Sequence, residues 1–296
     1  MTAAPSDQAS RLRALVRRQA SPSRATAAKP SVRAVTPILA IASGKGGVGK
    51  TVVAVHLSRA LCRAGQRVTL IDADLGTANA DLLVRVDPST RLGSGACLAH
   101  KVAEVPGLRL VAGSVGLRPS RDAGEDTRRA RREIAGVFAS LGASSDLFVV
   151  DLGAGIDRTV LGVLSRARLP VLVLTPDPTS LADAYALYKS LAGLQPADAR
   201  VAAVVVNKAR DAREAAGVFS RFAHTAELYL HRRPASLGWL PDDAEVTRAV
   251  RERRLCTPDT PFSRGIEQIA ARCRSRLCPP VTEITHSAQA RRETGR

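Results

Sequence analysis

Short apolar runs recur along the chain, separated by segments long enough to form helices. The runs at Ile38–Ala42, Val68–Asp72, Leu108–Ala112, Leu147–Asp151, Val171–Thr175, Val201–Asn207 and Leu237–Leu240 are rich in Val, Leu and Ile. Several are apolar without alternation, the pattern of parallel strands covered on both faces. Helix-length stretches lie between most of them, for example Lys50–Ala64, closed by Gly65. Strands alternating with helices predict an α/β fold: a doubly wound, mostly parallel sheet with helices on both sides. Ligands of such a sheet sit at the carboxyl ends of its strands.

The pattern changes at both ends. Residues 1–18 predict a short helix, with Ser6 as N-cap after Pro5 and Asp7 in the first turn. Ala9, Leu12 and Val16 share one face of it, and Arg11, Arg17 and Arg18 the other. Residues 19–34 are rich in Ala, Ser and Pro and read as a flexible tether. A globular body is expected over 35–276. Near its end Phe262, Ile266, Ile269, Cys273 and Leu277 form a stripe flanked by Arg264, Arg272, Arg274 and Arg276. That stripe predicts a last helix covering the sheet. Residues 277–296 read as a polar, basic tail.

Composition narrows the class. Of 296 residues, 45% are hydrophobic, which excludes a wholly disordered chain, and only 3% are aromatic, so the core must be aliphatic. The net charge of +17 is partly terminal. Residues 1–36 hold seven basic residues against one acidic, and residues 262–296 hold seven against three. The tails either solvate the ends or meet an anionic partner: nucleic acid, a lipid surface or an acidic protein. Five cysteines without C-x-x-C spacing, and no apolar leader, lead us to expect a reduced, cytoplasmic protein. No apolar run approaches the ~18–20 residues that span a bilayer.

The strongest chemical signal is Gly44-Lys45-Gly46-Gly47-Val48-Gly49-Lys50-Thr51, which fits G-x-x-x-x-G-K-[ST] between a strand and a helix. Glycines there let backbone N–H groups face phosphate oxygens, and the helix start adds partial positive charge. Lys50 is expected to neutralise the β- and γ-phosphates and Thr51 to ligate Mg²⁺. Lys45 is a second cation inside the loop. It is poorly placed for its own phosphates but able to reach those of a facing subunit, in the manner of an arginine finger given in trans.

Acids follow at the expected places. Asp72 and Asp74 end the second strand, two apart, and so point the same way, where they can organise Mg²⁺ and an attacking water. Asp151 ends an apolar strand and is followed by Leu152-Gly153-Ala154-Gly155, a Walker B pattern that holds Mg²⁺. In Asn207-Lys208-Ala209-Arg210 an arginine stands where guanine recognition needs an aspartate acceptor, which disfavours guanine. Asn207 can still read adenine, so ATP is expected.

The loop resembles the deviant Walker A motif of the MinD/ParA family of ATPases. That resemblance implies an ATP-sandwiched homodimer in which Lys45 reaches across, Asp74 positions the water, Asp72 lies near the metal shell, and Pro241 and Asp242 contact the base by backbone. Three further stretches are similar to the FlhG group of flagellar-number regulators: Asp72–Asp81, Thr175–Ser180 with Asp183–Leu187, and Leu237–Asp243 with Val250-Arg251. Asp7-Gln8-Ala9-Ser10-Arg11-Leu12-Arg13 resembles the element that stimulates the signal-recognition-type GTPase FlhF in that group, with Asp7, Gln8 and Leu12 as the contacting residues. The group also implies slow turnover, contact with flagellar C-ring proteins or a flagellar transcription regulator, and a peripheral position on the inner membrane face at a pole. The tail after Leu277 has no apolar face, so only weak anionic membrane contact is expected from it. The alternative reading is a ParA-type partitioning ATPase that binds DNA non-specifically. An iron–sulfur carrier on the same fold would need clustered cysteines, which the chain lacks.

Overall fold

The computed structural model describes residues 35–74, 78–92, 98–113, 123–196 and 202–277. The helix, tether and tail expected at residues 1–34 and 278–296 lie outside them. Asp7, Gln8 and Leu12 therefore have no structural account. The chain divides into a unit at Met1–Val35 and a body from Thr36 to Arg296, and every element named below belongs to the body.

The strands are β1 (Ile38–Ser43), β2 (Val68–Ala73), β3 (His100–Lys101), β4 (Leu108–Val111), β5 (Leu147–Ala154), β6 (Leu169–Leu174), β7 (Ala203–Ala209) and β8 (Ala235–Pro241). The helices are α1 (Lys50–Arg63), the single turn α2 (Ala80–Leu83), α3 (Ala123–Leu141), α4 (Arg158–Leu164), α5 (Pro178–Gly193), α6 (Ala212–Leu230), α7 (Ala244–Arg251) and α8 (Pro261–Leu277). One sheet runs β3-β4-β2-β5-β1-β6-β7-β8. Every pairing is parallel except β3 with β4. The predicted doubly wound sheet is present, and all seven predicted strands are in it.

The side-chain period of a strand divides the core into two layers. Leu39 and Ile41 of β1 face one side, with Val53 and Leu57 of α1 and Phe262 and Ile266 of α8. Ala40 and Ala42 face the other, with Ile134 of α3, Val160 of α4, Leu187 of α5 and Val218 of α6. Small alanines on that face of β1 leave room for Phe148 of β5, whose ring meets Phe138 at a tilt of 58° with centroids 5.0 Å apart. Phe262, Ile266, Ile269, Cys273 and Leu277 are all buried. Their stripe packs α8 onto the sheet. Among the described residues no helix is long and apolar enough to cross a membrane.

Helix starts differ in a way that bears on function. Asp157, Asp177, Asp211 and Asp243 cap α4, α5, α6 and α7, each accepting a hydrogen bond from a backbone N–H of the first turn. Helix α1 has Gly49 at that position, with φ 86° and no side-chain cap. Its first N–H groups are left for an anion.

Candidate active site

Strand β1 delivers the loop 44–51 to the carboxyl edge of the sheet, between β5 and β6. Two contacts fix its shape. A Cβ on Gly44 would lie 2.1 Å from the Asp183 carbonyl carbon, so the loop rests directly on the α5 backbone. Asn207 Nδ2 donates to the Val48 carbonyl at 2.7 Å, and Lys208 Nζ to the Gly47 carbonyl at 3.0 Å. Strand β7 thus braces the loop from the side.

Lys50 is buried, and its Nζ stands 3.7 Å from Asp74 Oδ2 and 3.7 Å from Asp151 Oδ1. The structure therefore gathers Lys50, Asp74 and Asp151 at one point. Asp151 is fully buried, and neither of its oxygens accepts a hydrogen bond among the described residues. Burial pushes its pKa up, and Lys50 and the nearby Thr51 hydroxyl oppose the rise. A buried carboxylate with open lone pairs beside a hydroxyl is a donor set that suits a hard divalent cation. Thr51 and Asp151 are the residues that would hold such a cation.

Asp72 behaves differently. It lies beside Asp151 in the β2–β5 register. Its Oδ1 accepts from Asp74 N at 3.2 Å, and its Oδ2 from Asn79 N and Ala80 N, each at 3.0 Å. Both oxygens thus help to hold the backbone around Asp74. Among the described residues three amides occupy three of the carboxylate's four lone-pair sites, so Asp72 clamps the loop that carries Asp74 and keeps one site on Oδ1 open. Burial first, then the neighbouring Asp151, pushes its pKa up to about 7.

Lys45 sits at the rim. Its Nζ donates to Asp177 Oδ2 at 2.8 Å and to Thr179 Oγ1 at 2.5 Å, at the start of α5. Hydrogen bonds from the Lys45 ammonium, then from the Thr179 N–H and hydroxyl, hold the Asp177 carboxyl down at about 2. The resemblance had marked out Thr175–Ser180 without giving Asp177 a role. The signal that could have found it is an acid capping the helix after the neighbouring strand, within reach of an extra loop lysine.

Asn207, Pro241 and Asp242, expected near the base, do line one cavity. It measures about 320 Å³ and adjoins Gly49, with Val246, Thr247 and Val250 of α7 as its far wall. The Asn207 amide nitrogen gives one of its two N–H groups to Val48, which leaves the other N–H and the amide oxygen to meet a base. Arg210 pairs instead with Asp211 and Glu214, at 3.6 and 3.8 Å, and does not line the cavity.

A phosphate loop backed by a buried lysine between two acids, beside a base-sized cavity, is the outline of a nucleotide site. Residues 39–255 match the family described as the CobQ/CobB/MinD/ParA nucleotide binding domain. The chain belongs to this family. It is a P-loop ATPase of the MinD/ParA type. It is similar to the antiactivator FleN of Pseudomonas aeruginosa, 33% identical over 239 residues, covering 77% of this chain and 81% of that one. It is also similar to the flagellum site-determining protein YlxH of Helicobacter pylori, 32% identical over 263 residues, covering 84% and 85%. The solved structure of the cell division ATPase MinD from Pyrococcus furiosus superposes with a TM-score of 0.63 at 24% identity, covering 81% of this chain and 99% of that one. That likeness speaks to the fold.

Proposed function

We propose that this chain is an ATP-driven switch, alternating between monomer and dimer, that governs flagellar number and placement. The flagellar part rests on the similarity to FleN and YlxH over most of the chain. The switch rests on one observation: the loop carries two lysines in opposite settings. Lys50 is buried between Asp74 and Asp151, while Lys45 is partly exposed at the rim and, among the described residues, held by Asp177 and Thr179.

Lys50 leaves its carboxylates for the β- and γ-phosphates when ATP binds. The N–H groups of the uncapped α1 start take the phosphate oxygens. Asp74, held in place through the Asp72 clamp, orients and accepts a proton from the attacking water. Mg²⁺, held by Thr51 and Asp151, supplies charge neutralisation at the phosphates. Lys45 leaves Asp177 for the nucleotide of a second copy. Adenine lies in the cavity of Pro241, Asp242 and Asn207. The release of ADP and phosphate returns Lys45 to Asp177. Turnover is on the order of 10⁻⁴ to 10⁻² per second, as in switch NTPases. The segment Asp7–Arg13 acts on an SRP-type GTPase of the FlhF kind.

Light scattering with ATP and Mg²⁺ tests the switch. Asp74→Ala accumulates as a dimer, while Lys45→Ala remains monomeric with nucleotide bound. A monomeric Asp74→Ala sample overturns it. Removing residues 1–18 leaves ATP binding intact and abolishes stimulation of the GTPase; equal stimulation by the shortened chain refutes the partner assignment.

A further inference from the structure

A second cleft, of about 580 Å³, opens along the far half of α1. Arg59 lies nine residues beyond Lys50, about 13 Å along the helix axis at 1.5 Å per residue. The cleft is walled by Arg59 and Arg63 of α1, Arg85 after α2, the turn between β3 and β4, and the segment from Arg254 to Pro258 after α7. Four arginines line it, and Glu104 is the one acid among the lining residues.

These arginines are not equivalent. Arg254 is paired with Glu245 at 2.7 Å and Glu252 at 2.6 Å. Arg85 reaches Glu104 at 3.7 Å and Arg63 reaches Glu267 at 3.9 Å. Arg59 is only 8% exposed, yet among the described residues no carboxylate lies within 4 Å of it. Its Nη1 donates to the Cys256 carbonyl at 2.7 Å. Cys62 and Cys256 stand in the same wall, and burial pushes both thiols up to about 11, so they add no negative charge. Glu267, which pairs with Arg63, balances Arg59 only from beyond ion-pair distance, and a buried guanidinium so placed beside another cation is costly. Val105, Pro106, Leu255 and Pro258 give the cleft an apolar side.

We propose that this cleft is a second ligand site, taking a small organic phosphate, with Arg59 as the buried anchor, Arg63 and Arg85 closing over the phosphate, and the apolar group against Leu255 and Pro106. The guanidinium fork matches phosphate oxygens in pairs. The site adjoins the nucleotide machinery on two sides. Arg59 shares α1 with Lys50, and α7, a wall of the base cavity, runs directly into Arg254–Cys256.

Calorimetry on the full chain with phenyl phosphate as the probe tests this. Saturable binding at one site per chain is expected, absent with phenol. Lys50→Ala, which disables the phosphate loop, retains the heat. Arg59→Gln weakens binding at least tenfold. Because Arg59 is buried, the double variant Arg63→Gln/Arg85→Gln, at exposed positions, is measured beside it, and the same loss is expected. No saturable heat with the unaltered chain, loss of binding in Lys50→Ala, or unchanged affinity in the double variant overturns the proposal.

Discussion

Lys45 and Asp177, 132 positions apart in sequence, are joined by a 2.8 Å ion pair that closes the rim of the phosphate loop. The lysine that we propose serves a second copy is thus occupied at home. Both side chains are substantially exposed, 39% and 45%, so the pair is weak and screened by solvent. Asp177→Asn removes the charge while keeping an oxygen to cap α5. Its ATP-dependent dimer should tighten by no more than about fivefold, the range of an exposed ion pair. Sedimentation equilibrium with a non-hydrolysable ATP analogue measures this, and an unchanged dimer constant would show that Lys45 is not restrained by Asp177.

Asp151→Asn should separate stability from activity. The carboxylate is buried, Lys50 and Thr51 only partly offset that burial among the described residues, and its raised pKa marks a charge disfavoured by the fold. A folded-state pKa above the unfolded one means stability is lost as pH rises through the folded value. Neutralising the group should therefore raise the nucleotide-free melting temperature at pH 7.5 by roughly 2–4 °C, taking about 1 kcal/mol of relief. ATP turnover should fall to background in the same variant. Calorimetric melting and phosphate release are the measurements.

His56 predicts an acid limb of the opposite sign. Its Nε2 accepts the Cys256 N–H at 2.9 Å, so Nδ1 carries the proton toward the Val52 carbonyl at 2.8 Å. The ring also meets Phe262 edge-on, with centroids 5.3 Å apart. Burial first, then Arg59, pushes the pKa from 6.5 down to about 4. The neutral form is favoured in the fold, so stability is full above pH 6.5 and falls as pH drops toward 4. The loss is on the order of 3 kcal/mol at 1.36 kcal/mol per pKa unit. His56→Leu should be less stable at pH 7.5 and show a flatter decline between pH 6.5 and 4 in urea titrations.

Asn207→Ala should loosen nucleotide binding without unfolding the chain. It strips the brace from the Val48 carbonyl. An unsatisfied buried acceptor costs ~1–3 kcal/mol, so the dissociation constant for Mg-ADP should rise roughly tenfold. Fluorescent-nucleotide titration with a melting curve on the same sample checks both halves.

The sheet was legible because parallel strands buried on both faces are written as unbroken apolar runs, such as Leu147–Val150. The edge strand β3 was not. His100 and Lys101 are polar, only two residues long, and are strands by virtue of pairing with Leu110 and Arg109. Strand β6 begins at Leu169, two residues before the apolar signal, because Pro170 reads as a break although it pairs with Ala40. Strand β5 runs on to Ala154 through glycine that reads as loop. In the site, Lys50, Thr51 and Asp151 follow from motif spacing, which is local. The Asp72 clamp and the Asp177 restraint depend on where backbone amides and a distant helix arrive, which spacing does not encode.

Because the loop at Gly44 bears directly on the main chain at Asp183 and Ala184, it cannot shift independently of α5. The outer face of α5 is then a handle on the hydrolytic machinery. A protein that grips that helix, or pries it outward by a fraction of an ångström, would speed or stall phosphate cleavage while never approaching the nucleotide.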